Sequence, residues 1–192
     1  MEHASLSGVR AVGALRRYLA VGILSLFLLP TTGVAVANSA ELVNALDNGV
    51  AMDGFDVVAY FKKGAPMKGS PSHKVQYKGK TWHFGSAENA ADFSADPARY
   101  EPQHNGWCSY AVSEGYGAQV DFVKGWAILD DKLYLNWNEE TKDEFVAEQA
   151  KRKSQAAANW PGVHKGLQDG SVELYFHKDE PSEGISHPQE LN

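Results

Sequence analysis

The stretch KVQYKGKTWHFGSAENAADFSADP, Lys74 to Pro97, decides how the chain folds. Lys74–Tyr77 and Lys80–Phe84 are short runs rich in β-branched and aromatic residues on either side of Lys78-Gly79, a pair suited to a tight hairpin turn. Alternation along the second strand puts Trp82 and Phe84 on one face and Thr81 and His83 on the other. Ser86, followed by Glu88 and Asn89, reads as a capped helix start, and that helix runs to about Asp96 before Pro97. Within 24 residues the pattern passes from antiparallel hairpin to helix.

The same pattern recurs further on. Trp126–Leu129 and Lys132–Asn136 flank Asp130-Asp131, a second hairpin. Asn138 caps a long helix with Glu139 and Glu140 in its first turn and Lys151, Arg152 and Lys153 later, as the helix dipole favours, and Trp160-Pro161-Gly162 is its expected stop. Strands and helices mix without a βαβ rhythm, so the expected fold is α+β, small antiparallel hairpins packed with a few helices in a single compact domain. All five Trp, six of the eight Tyr and six of the eight Phe lie between Phe55 and Trp160, which places the core there. After Val163 the chain turns polar and rich in turn residues. Residues 164–192 read as a C-terminal tail carrying at most one strand, Val172–Phe176.

At the other end, Arg10, Arg16 and Arg17 precede an uncharged run, Tyr18–Leu29, of about 18 Å as a helix, well short of a bilayer core of about 30 Å. Pro30 ends the run, and Ala35-Val36-Ala37 supplies the small-x-small pattern of a cleavage site before Asn38. Residues 1–37 are expected to be a cleavable signal peptide and 38–50 a short polar lead-in. The expected location is the periplasm or the secreted space, with no membrane span left after cleavage. Removing residues 1–37 takes the formal charge from −6 to −8. An acidic chain argues against nucleic acid as a partner, since that binding depends on Lys and Arg neutralising phosphates. The sequence names no protein partner.

From residue 51 to residue 163 the chain resembles the YHS domain family, in the form found in small secreted bacterial proteins. The matching segments, in order, are Asp53–Phe61, Gly79–Asn89, Phe93–Tyr100, Gly106–Gly115, Asp131–Asn138 and Asn159–Pro161. For metal-handling YHS domains, such as those attached to copper-transporting ATPases, the resemblance implies cysteines at positions that fall here near Val57, at Gly85 and at Asn89. Those thiolates are missing, and a thiolate is what makes such a site soft and tight for copper or zinc.

The chemistry left to the chain centres on its single cysteine, Cys108, with His104 four residues before it. One helix over both would put sulfur and imidazole on one face, as a two-ligand metal site or a Cys-His nucleophile needs. A helix starting near Gly106 would instead put the thiol in its first turn, where the dipole favours a thiolate. A third reading makes Cys108 a buried small hydrophobe packed with Trp107 and Tyr110. His83 is a further candidate ligand, Met52 and Met67 could offer thioether sulfur to copper, and His73, His164, His177 and His187 lie in turns or the tail. Asp53, Asp56, Asp121, Asp130 and Asp131 sit where Asp serves turns, and no phosphate loop, nucleophile elbow or His-Glu-x-x-His pair is present. The sequence therefore supports an exported binding module that handles copper or another transition metal through Cys108, His104 and His83. The alternative is a metal-free ligand or protein interaction module with an aromatic-lined pocket.

Overall fold

The first hairpin forms as its turn residues dictate. β1 (Ser70–Tyr77) pairs antiparallel with β2 (Lys80–Phe84), Tyr77 opposite Lys80, and Lys78 and Gly79 take φ of 50° and 71°. Two positive-φ residues give the turn whose twist matches the strands, which is why glycine occupies its second position. The computed structural model describes residues 42–45 and 48–177. The expected signal peptide, residues 1–37, lies outside them, as do parts of the lead-in and residues 178–192 of the expected tail.

Trp82 and Phe84 are buried, and Phe93 stacks on Trp82 at 5.0 Å and meets Phe84 at 5.1 Å. Phe93 comes from α2 (Ala87–Ala95), started by Ser86, whose Oγ accepts the Asn89 amide hydrogen at 3.1 Å. The short α3 (Pro97–Tyr100) follows, with Asp96 capping it at the Arg99 amide. Ahead of the hairpin, α1 (Val57–Lys63) is capped by Asp56 and ended by Gly64 in the left-handed conformation. Val57, Val58 and Tyr60 bring its inner face into the same core.

The second half is built around α4 (Ser109–Glu114) and the second hairpin, β4 (Trp126–Leu129) with β5 (Lys132–Leu135). Asp130 and Asp131 both hold positive φ, and Leu133 and Leu135 are fully buried. Asn138 caps α5 (Glu139–Ala147) in a reciprocal box with Thr141. Here the structure departs from the sequence reading. The helix breaks at Glu148, and α6 (Gln149–Asp169) runs through Pro161 and Gly162 rather than stopping there. Proline removes one backbone hydrogen bond, a local cost that packing can override. Ala156, Val163 and Leu167 are buried against Trp107, Val112 and Leu174, and Asn159 donates to the Val112 and Ser113 carbonyls at the end of α4. Arg152 therefore stands in the first turn of α6, buried, ion-paired to Glu114 and Glu148 and 4.2 Å over the Tyr110 ring.

Residues 171–177 fold back onto the domain. β6 (Leu174–Tyr175) pairs parallel with β3 (Gly117–Ala118), and the His177 amide donates to Gln119 Oε1 at 3.0 Å. The lead-in is also packed: Val43 is buried and Leu42 accepts the Trp107 indole hydrogen at 3.1 Å. The result is a compact α+β fold of two antiparallel hairpins, one parallel strand pair and six α-helices among the described residues. No helix among them is long and apolar enough to cross a membrane.

Candidate functional site

Cys108 is the N-cap of α4, and its surroundings are set by that position. Its Sγ accepts the Ala111 amide hydrogen at 3.4 Å and, from the chain after β5, the Trp137 amide hydrogen at 3.2 Å. The residue is 1% exposed. Burial pushes the thiol up to about 11, and the amide hydrogen bonds, which favour the thiolate, only partly offset it. The expectation that a helix start would favour a thiolate is corrected here: the sulfur is at the helix start, but sealing a charge in the core costs more than the dipole returns.

His104 is not on a helix with Cys108. It belongs to a single turn, Gln103–Gly106, in which His104, Asn105 and Gly106 all have positive φ, and α4 begins only at Ser109. Gly106 is required there, since a Cβ would stand 2.4 Å from the Met52 side chain. The His104 imidazole packs against Tyr134 and Trp160, and its Nδ1 lies 3.0 Å from Ser109 Oγ. The side chain is half-buried by surface area, yet the packing around its ring decides its chemistry: burial holds the imidazole down at about 4, neutral at pH 7. His83 sits elsewhere, on β2 opposite Lys74 and beside Gly54. Met52 is sealed in the core against Gly106, Met67 Sδ accepts the Lys63 ammonium at 3.1 Å, and His187 lies outside the described residues.

The three candidate ligands thus occupy a helix cap, a left-handed turn and a strand. Among the described residues no three His, Cys, Asp or Glu side chains gather as a metal ion needs. The sulfur already accepts two backbone hydrogens and is sealed in the core. These donors do not fit a soft transition metal.

A different arrangement does form a site. Phe55 and Phe122 stack at 5.0 Å beside a cleft of about 620 Å³, which is also lined by Asp53, Lys68, Asp121 and His177. Lys68 bridges to the Asp53 carboxylate at 3.0 Å and stands 4.0 Å over the Phe55 ring. Asp121 Oδ1 accepts the amide hydrogens of Val123 and Lys124, which shapes the loop carrying Phe122. Tyr60 donates its hydroxyl to the Phe122 carbonyl at 2.7 Å and so ties that loop to α1. His177, from the folded-back arm, stacks face to face on Trp137 at 3.7 Å, and burial holds it below the ordinary imidazole range. The volume lies in the range of small-molecule pockets, apolar-walled with a few converging polar groups.

Residues 58–104 match the YHS domain family model. Over that stretch, about a quarter of the chain, it is similar to a YHS domain. No curated protein and no solved structure matches the chain. Of the positions at which the resemblance implies thiols, Gly85 and Asn89 both bond to Asp56, which directly precedes the third, Val57. Asp56 Oδ1 accepts the Val58 and Ala59 amides, and its Oδ2 accepts the Gly85 amide at 2.8 Å and the Asn89 side-chain amide at 2.7 Å. Asp56 is completely buried, and a side chain at Gly85 would run into Met67. A carboxylate bonded to four N–H groups joins α1, β2 and α2 at this point.

The cleft lies partly beyond the matched stretch. The matched stretch lends it Lys68, while Asp53, Phe55, the Gln119–Phe122 wall and the Phe176–His177 arm come from outside residues 58–104. Sequence reasoning assigned Asp53 and Asp121 to turns and His177 to a tail. No local pattern points to the cleft, because Phe55, Phe122 and Phe176 lie far apart in the chain.

Proposed function

We propose that this protein is an exported, non-enzymatic binding module whose ligand is a small organic molecule held in the Phe55–Phe122 cleft. The observation that carries the reading is the cleft itself: an aromatic wall, converging charged groups and room for a drug-sized body, built from five separate stretches of the chain. Export rests on the basic start, the short apolar run and the Ala35-Val36-Ala37 site of the sequence. Copper or other transition-metal handling, which the family resemblance implies, finds no support in the surroundings of Cys108, His104 and His83 described above.

The test is a fragment titration followed by amide NMR. Fragments are expected to move the signals of Gln119, Asp121, Phe122 and His177, and Phe122→Ala is expected to abolish the effect while the fold is kept. Fragment-induced shifts spread over the surface, or unchanged in the variant, contradict the cleft reading.

A further inference from the structure

The charges and rings of the cleft select one class of ligand, an inference that rests on the cleft being the binding site. Aromatic faces attract cations through the ring quadrupole. The protein already uses this, since the Lys68 ammonium stands 4.0 Å over Phe55. Lys68 is committed, however: it donates to the Asp53 carboxylate at 3.0 Å and to the Asp53 carbonyl at 2.6 Å. Among the residues lining the cleft there are two carboxylates, Asp53 and Asp121, and one ammonium. Asp121 has its Oδ1 on two backbone amides, while its Oδ2 takes no hydrogen bond among the described residues. Burial disfavours a charge on the His177 imidazole where it stacks on Trp137, with the Asp121 carboxylate acting the other way. Among the described lining residues, the carboxylates outnumber the ammonium by one, beside phenyl rings.

We propose that the cleft takes a small organic monocation, an ammonium on an apolar body, with the charge against Asp121 and the body along Phe55, Phe122 and Phe176. An anion of the same size meets two carboxylates and, among the described residues of the lining, no free cation. A neutral analogue forgoes both the Coulombic attraction and the cation–ring attraction. The site is open to solvent, so the charge acts in a partly aqueous medium and selects by a moderate factor.

The experiment compares three probes of one shape on the full chain, 2-phenylethylammonium, 2-phenylethanol and 3-phenylpropionate, by calorimetry with amide NMR to locate each. The ammonium is expected to bind about tenfold more tightly than the other two and to weaken as salt rises from 50 to 500 mM, concentrations set by the experimenter to span the screening range. Asp121→Asn keeps the oxygen that serves the Val123 and Lys124 amides and is expected to lower ammonium affinity about tenfold. If that variant melts early, Phe55→Leu and the salt dependence of the unaltered chain supply the same decision. Equal or tighter binding of the alcohol or the carboxylate at these residues overturns the cation class and leaves the cleft reading standing. Binding by none of the three overturns the cation class, and the fragment titration then judges the cleft by itself.

Discussion

The Trp137 amide nitrogen lies 3.2 Å from the Cys108 sulfur and donates its hydrogen to it, joining the start of α4 to the chain between β5 and α5. The sole thiol of the protein is thereby a structural acceptor. It shares a buried core with Ala111, Leu135 and Trp137.

Cys108→Ala leaves the Ala111 and Trp137 amides without that acceptor and opens a small void. The expected loss is about 2 kcal/mol of stability, read from denaturant unfolding. Cys108→Ser, which restores a capping oxygen, is expected to recover part of it. Iodoacetamide is expected to leave the native thiol unmodified at pH 8 and to label it once the chain is unfolded, because the thiol is both sealed and held up to about 11. Rapid native labelling contradicts this.

Asp56 carries the heaviest hydrogen-bond load of any carboxylate described above, four N–H groups on a completely buried side chain. Asp56→Ala strands those donors and is expected to cost about 3 kcal/mol or to prevent folding. Asp56→Asn keeps one oxygen for the α1 cap but turns an NH₂ toward Gly85 and Asn89, at an expected cost of about 2 kcal/mol. Near-equal melting of Asp56→Asn and the unaltered chain contradicts the assignment.

Stability is expected to fall on acidification through His104. Its imidazole titrates near 4 in the folded protein against an ordinary value of 6.5. Between those values the unfolded chain binds the proton and the folded chain does not, so stability is full above about 6.5 and declines as pH drops toward 4. The expected size is about 2 kcal/mol, with His177 acting in the same direction. His104→Gln is expected to flatten the profile between pH 6.5 and 4, followed by urea unfolding at each pH. An unchanged slope in that variant assigns the dependence to other groups.

Export is tested by N-terminal sequencing of the protein recovered outside the cytoplasm, where Asn38 is the expected first residue. A product still carrying the Tyr18–Leu29 run contradicts cleavage.

Both hairpins and the Ser86 and Asn138 caps were legible because turn and cap residues carry their own geometry: Lys78-Gly79 and Asp130-Asp131 adopt positive φ, and each cap oxygen meets the expected amide. Pro161 misled because a local breaker signal knows nothing of Val163 and Leu167, whose burial on the far side extends α6 to Asp169. The helix that would carry both His104 and Cys108 does not form, for a related reason. Spacing of four means a shared face only on a helix, and His104-Asn105-Gly106 coils in the left-handed sense instead. The cleft was out of reach of local pattern altogether, since it joins Phe55, Phe122 and His177 over 122 residues of chain. Asp56 was read as a turn residue and does cap α1, but its second oxygen is claimed by residues about 30 positions away.

The most direct test of whether this protein binds through its cleft or through its thiol is a parallel titration of the unaltered chain, Cys108→Ser and Phe122→Ala with Cu(I) under a competing chelator and with the fragment set. The expected result is fragment binding that survives in Cys108→Ser and is lost in Phe122→Ala, and no stoichiometric Cu(I) site that depends on Cys108. Tight, one-to-one Cu(I) uptake by the unaltered chain that disappears in Cys108→Ser, with fragments ignoring Phe122, would contradict the account.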